Sequence, residues 1–256
     1  MSYANVGKRW SPSSFPAYLA TLPRPAWAKA VTVHHCAAPS LAQRPNGFLD
    51  QHLRNLEDFY KNTKGWSAGP HGFIDEDEIH GMSPFTAPGV HAVSFNRNSI
   101  GFERLGDYDV EDPTTGRGLL VCITTAFAVH ATLEWLGQPI NERTVLFHRD
   151  DPKTSKTCPG TRVKKDWFLN LVREAGATPV IVPKIATAPT SGAMAPVVNY
   201  IAGKLGKTYA EVAKDFNREG KLYLYDGKWI EGAYYDVVTQ TTVAPVAEIE
   251  ETLGLL

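Results

Sequence analysis

One short stretch of the chain concentrates metal-binding chemistry. From His148 to Gly160 it reads His-Arg-Asp-Asp-Pro-Lys-Thr-Ser-Lys-Thr-Cys-Pro-Gly, which puts an imidazole, ammonium groups and a thiol on one Pro-punctuated loop. Imidazole nitrogen and thiolate sulfur suit a borderline-soft ion such as zinc. A catalytic zinc takes three protein ligands and keeps a fourth position open. His148 and Cys158 supply two. The natural source of the third is His34 or His35, at the end of the β-branched run Ala30-Val31-Thr32-Val33. Side chains alternate faces along a strand, so only one of the two can point at a shared ion. Spacing leaves the choice between them open.

The elements that must hold these groups are legible in outline. Ala30–Val33 reads as a strand, as do Gly72–Asp75, Ser99–Leu105 and Val145–Phe147, the last delivering His148. Leu49, Leu53, Leu56, Phe59 and Tyr60 recur at helical spacing, which predicts a helix over 48–64 stopped by Gly65. Further helices are expected over 118–136, stopped by Gly137, and over 162–174, ended by Gly176. Strands alternating with helices argue for an α/β domain around a central mixed β-sheet flanked by helices. Residues 1–27, rich in Pro, Ser and Ala, read as an irregular arm.

Composition narrows the class. At 256 residues, 43% hydrophobic and 21% charged, the chain suits one generous domain plus an appendage. A net charge of -1 gives no electrostatic case for nucleic acid or an anionic membrane. Three cysteines, Cys36, Cys122 and Cys158, do not make a disulfide framework. No apolar run follows Lys8 and Arg9, so no secretory signal is expected. The apolar stretch 119–136 is broken by Thr124, Thr125, His130, Thr132 and Glu134, and reads as a buried helix rather than a membrane span.

Val33-His34-His35, Ser99-Ile100-Gly101-Phe102-Glu103, and His148 with Lys156-Thr157-Cys158-Pro159-Gly160 together resemble the zinc-dependent N-acetylmuramoyl-L-alanine amidases. This family (amidase type 2, peptidoglycan recognition protein-like) includes phage endolysins. The resemblance covers residues 30–172. It implies Zn2+ held by His34, His148 and Cys158. It implies catalytic roles for Glu103, as proton acceptor, and Lys156, as oxyanion partner. It carries His91 and Asn96 over to the substrate side, with His35 as neighbour to the metal. One departure stands out. Where several family members have a catalytic tyrosine, this chain has Pro70, which lacks a hydroxyl and shifts the load to Glu103.

Other polar groups have plainer readings. Cys36 and Cys122 are expected as small buried hydrophobes and His130 as a core histidine. His52 and His80 are expected as surface or helix-face residues, and Asp75-Glu76-Asp77-Glu78 as a solvated turn; a calcium site there would lack the usual loop spacing.

Beyond residue 175 the composition changes. Residues 176–196 are an Ala/Thr/Pro-rich linker by composition. Residues 197–256 read as a small C-terminal α+β module: a helix opened by the Thr208-to-Glu211 capping box and ended by Gly220, then a hairpin turning at Asp226-Gly227. Eight aromatics there suit sugar stacking, so a cell-wall-binding role is expected. Six Lys/Arg against nine Asp/Glu speak against DNA.

The expectation is therefore a peptidoglycan amidase of phage-endolysin character. Residues 1–175 form the catalytic domain, and bacterial peptidoglycan is the partner of what is expected to be a monomer. It would reach the wall from the host cytoplasm through a separate holin-type pore. The competing expectations are a cytoplasmic muropeptide-recycling amidase and a non-catalytic peptidoglycan receptor.

Overall fold

The structure, a computed structural model, describes residues 3–177 and five short strands between 213 and 243. The chain divides into two compact units, Met1–Val180 and Ile181–Leu256. The first is built on six strands: β1 (Arg9–Trp10), β2 (Ala30–His35), β3 (Gly72–Ile74), β4 (Ile79–Gly81), β5 (Ser99–Arg104) and β6 (Val145–Phe147). Their order is β1-β4-β3-β5-β2-β6. The four strands β3, β5, β2 and β6 run parallel, and β4 is antiparallel to both of its neighbours, so the sheet is mixed.

Helices α1 (Phe15–Ala20), α2 (Asp50–Asp58), α3 (Gly116–Leu136) and α4 (Lys165–Ala177) flank it. The helix α3 packs on α1, α4 and strands β2, β3 and β5. Its residues Val121, Cys122, Ala128, Val129 and Leu133 are fully buried with Val31 and Val33 of β2. Full burial of each large apolar side chain contributes about 1.5–3 kcal/mol, so this face carries most of the stability. A smaller cluster on the other face joins Leu53 of α2 to Phe48, Phe73, Met82 and Leu105. Because side chains alternate along β2, Val31 and Val33 take the thick face and His34 takes the other. The sheet there is only partly covered, which leaves room for a cleft.

Several expectations are corrected. The N-terminal arm is not irregular: β1 pairs with β4, and α1 buries Phe15 and Leu19 completely. The signal was present, since Pro16 sits in the first turn after Ser14 and Phe15 and Leu19 are four apart. The acidic run is not a solvated turn. Asp75 accepts bonds from the Phe48 and Glu78 backbones and pairs with His80, so both Asp75 and His80 are buried. Glu76 pairs inside the protein with Arg117. The last helix runs through Gly176 to Ala177. Helix α2 is followed by a single π-helical turn, Phe59–Thr63, before Gly65 takes a positive φ of 65°.

In the second unit, β7 (Ala213–Phe216), β8 (Leu222–Leu224) and β9 (Trp229–Ile230) form an antiparallel sheet. Strands β10 (Tyr234–Asp236) and β11 (Thr241–Val243) form an antiparallel pair. The expected hairpin between 221 and 230 is present, but the expected helix is overturned at 213–216, where strand pairing prevails over the capping pattern. The linker beyond Ala177 and the Asp226-Gly227 turn lie outside the described residues.

Candidate metal centre and catalytic cleft

The parallel strands bring the chemistry to one edge. In the register, His34 of β2 stands directly beside Glu103 of β5, and Val33 stands beside Phe147, the last residue of β6. His148 follows at once. Three adjacent strands thus end together at their carboxyl edge, the usual place for a ligand in parallel sheets.

The donor atoms converge. His34 Nδ1 lies 3.0 Å from His148 Nδ1 and 3.7 Å from Cys158 Sγ. All three ligand atoms lie within 4.8 Å of one another. A tetrahedral zinc with bonds of about 2.0–2.3 Å sets donor–donor edges of roughly 3.3–3.6 Å, so the triangle fits that ion.

Tautomers can be assigned by following the hydrogen bonds outward. His91 Nε2–H donates to Ser99 O at 3.1 Å, which leaves His91 Nδ1 to accept from His34 Nε2–H, also at 3.1 Å. The lone pair of His34 Nδ1 is then left facing His148 Nδ1. That lone pair is satisfied either by the N–H of one His148 tautomer or, with His148 in the other tautomer, by a cation between the two rings. Burial, with His91 and His148 nearby, holds His34 well below its ordinary pKa, so its ring is neutral and Nδ1 is free to ligate. Burial likewise pushes the Cys158 thiol up to about 12, so its ionisation calls for a positive charge. The donor set fits a divalent metal.

The supports are specific. The His35 amide donates to Cys158 Sγ at 3.4 Å, while its ring turns to the other face and Nδ1 accepts from the Tyr108 amide. That bond occupies the His35 lone pair, which is why His35 with Asp107 and Asp109 makes a poor second metal cluster. Arg104 is fully buried and donates to Pro159 O at 2.9 Å. Arg149 donates to Gly160 O and Val163 O. These bonds brace the loop that carries Cys158. Gly101 permits the His91 relay, because a Cβ there would lie 2.4 Å from the His91 ring. Replacing His91 with alanine should weaken zinc binding about 10- to 100-fold, as loss of an orienting partner does. Competition against a chelator measures it, and unchanged affinity would refute the relay.

Glu103 Oε1 lies 3.6 Å from His34 Nδ1, with 19% of its side chain exposed. Burial raises Glu103 to about 8, with the Lys156 ammonium pulling the other way. His148, Cys158 and Glu103 line a cleft of about 990 Å³, with His34 buried beside them, a volume suited to a ligand. Lys156 lines it and is exposed. His91, Asn96 and His35 line it too, each tied to the protein: Asn96 Oδ1 accepts from the His91 and Ala92 amides and so fixes the His91 loop. Pro70 also lines the wall. The sequence reading missed Arg44, which had no motif around it, and took Tyr60 only as part of an apolar stripe; both line the cleft.

The family model for N-acetylmuramoyl-L-alanine amidase matches residues 23–161. The chain belongs to this amidase family. Peptidoglycan-recognition protein SC2 of Drosophila simulans and that of Drosophila melanogaster are each 25% identical to it over 113 residues, 43% of this chain and 58% of theirs. The amidase chain thus spans 58% of the length of these curated relatives. Among solved structures it is similar to endolysine N-acetylmuramoyl-L-alanine amidase LysCS from Clostridium intestinale URNW, at 18% identity and a TM-score of 0.44, over 57% of this chain and 84% of that one. It is also similar to Drosophila PGRP-LB, at 21% identity and a TM-score of 0.43, over 62% of this chain and 84% of that one.

Proposed function

We propose that this amidase hydrolyses the bond between the lactyl group of N-acetylmuramic acid and L-alanine in peptidoglycan, with zinc on His34, His148 and Cys158, as a phage endolysin. The observation that carries the reading is the convergence of those three donors, two of them lining a cleft that Glu103 lines as well. Bound there, zinc supplies Lewis acidity and lowers the pKa of water toward ~7. Glu103, raised to about 8 by burial, holds the proton taken from the attacking water and passes it to the departing nitrogen. Lys156 places a positive charge at the cleft where the oxyanion develops. His91 and Asn96 keep His34 in the ligating tautomer and leave the substrate side to the cleft walls.

Dye-labelled cell walls and mass analysis of the released fragments test this. The expected result is soluble dye, free muramic acid lactyl groups and new L-alanine amino termini, abolished by chelator and restored by zinc. Binding without cleavage would replace the hydrolase with a receptor. Cleavage of soluble muropeptides but not of intact walls would favour the recycling enzyme.

The second unit is assigned to wall adsorption on its aromatic content. Deleting residues 197–256 should weaken wall adsorption by about 10²–10⁴-fold in affinity, the scale of the avidity that tethering gives, while sparing hydrolysis of a small muropeptide. Equal adsorption of the two forms in a sedimentation assay would remove that role. The endolysin setting, with passage to the wall through a holin-type pore, belongs to the same proposal. Its test is whether cells that express the protein internally lyse only once the cytoplasmic membrane is permeabilised; lysis without permeabilisation would remove the need for a pore.

A further inference from the structure

We propose that Arg104 is a positioning residue of the metal centre: a buried cation, kept at a cost to the fold, that fixes the loop behind the anionic ligand Cys158. The proposal rests on the metal reading of the donor triad.

Glu103 and Arg104 are consecutive on β5, so their side chains take opposite faces of the sheet. Glu103 lines the cleft. Arg104 enters the core and is fully buried. Its guanidinium lies 4.4 Å from the Tyr108 ring and 5.6 Å from the Phe168 ring of α4. Nη1 donates to Cys122 Sγ of α3 at 3.3 Å, and Nη2 donates to Pro159 O at 2.9 Å.

This is an expensive place for a charge. The arginine ion pairs among the described residues are those of Arg9 and Arg117, so no carboxylate neutralises Arg104. Nε is shielded from water and has no hydrogen-bond partner. A buried cation without a counter-charge destabilises a fold, and an apolar side chain of similar volume is often neutral or better in its place. The two ring faces offset only part of the cost. Core packing alone therefore gives no reason for an arginine between α3 and α4.

The reason lies one residue beyond the carbonyl it holds. Cys158 ligates a metal as a thiolate, an anion. Its sulfur accepts from the His35 amide, and His35 stands beside Arg104 in the strand register. Arg104 fixes the following peptide through Pro159 O. Gly160 then presses on Tyr108, where a Cβ would lie 2.4 Å from its backbone. The same Tyr108 ring carries the guanidinium. The direction of the Cys158 sulfur thus depends on a cation clamped between two helices and a ring.

Arg104→Met and Arg104→Lys in the full-length protein test this with three readings: zinc affinity by competition with a chelator, the thiolate-to-cobalt absorption band of the protein loaded with cobalt alone, and the thermal midpoint of the metal-free protein. Arg104→Met should weaken zinc binding about 10- to 100-fold, as loss of an orienting partner does, and shift or weaken the cobalt band. Its metal-free midpoint should stay at or above the wild-type value, because the unpaired charge goes with the side chain. Arg104→Lys, which keeps the charge and a donor without the planar fork, should recover part of the affinity. Wild-type affinity and spectrum in Arg104→Met overturn the proposal, and so does a metal-free protein destabilised in step with the lost affinity, which would make Arg104 a packing residue. If Arg104→Met does not fold, Arg104→Lys decides: wild-type affinity and an unchanged cobalt band there overturn the proposal as well. A wild type that binds neither zinc nor cobalt overturns the metal reading together with it.

Discussion

Replacing Cys158 with alanine should remove zinc and abolish wall cleavage while leaving the domain folded. The thiol is 6% exposed and sits between the His35 amide and the two imidazoles, so its loss removes one corner of the donor triangle. The two histidines that remain cannot hold the ion at a site built for three protein ligands. The loss in affinity should exceed the ~10- to 100-fold that outer partners cost. The fold should survive because the core lies on the opposite face, around α3, and because the loop keeps its braces from Arg104 and Arg149. Elemental analysis should fall from about one zinc per chain to near zero, with circular dichroism unchanged. Full zinc occupancy with wild-type dye release would remove Cys158 from the site and the metal assignment with it.

Glu103→Gln separates chemistry from metal binding. Glutamine keeps the shape and burial of the side chain beside His34 but holds no exchangeable carboxyl proton. Proton transfer by a positioned group is worth about 10²–10⁴ in rate, and turnover should fall by that amount. Zinc content should stay at the wild-type level, since Glu103 stands beside the donor triangle and is not one of its corners. The carboxyl is raised to about 8 by burial, close to a working pH near neutrality, where one group can both accept and return a proton. Stopped assays on a soluble muropeptide, with zinc measured in the same samples, decide it. Wild-type turnover in Glu103→Gln would move the base elsewhere, and loss of zinc would make Glu103 a ligand instead. The two variants fail in different ways, and that difference is the strongest check on the assignment of roles.

Much of this was written locally in the chain. The β-branched run before His34, the glycine stops at Gly65 and Gly137 and the apolar stretch of α3 each encode an element through short-range sterics or periodicity. Positions 148 and 158, with His34 or His35 as the third, could be named because such an ion selects few side-chain types, and the family resemblance chose His34. Choosing His34 over His35 without a family resemblance needed the sheet: β2 has its valines on the α3 face, so His34 must face the other way.

What only the tertiary structure decided is long-range. That His91 stands behind His34, 57 residues away, depends on a glycine in the next strand that lets two rings approach. That Asp75 and Glu76 are buried depends on partners the sequence does not place beside them: the Phe48 amide, His80 and Arg117. An acidic run looks solvated until a cation from another element arrives to neutralise it. Residue types and local periodicity limit what chemistry a chain can do. Which polar groups are brought together and satisfied is a property of distant neighbours and is settled only when the strands take their register.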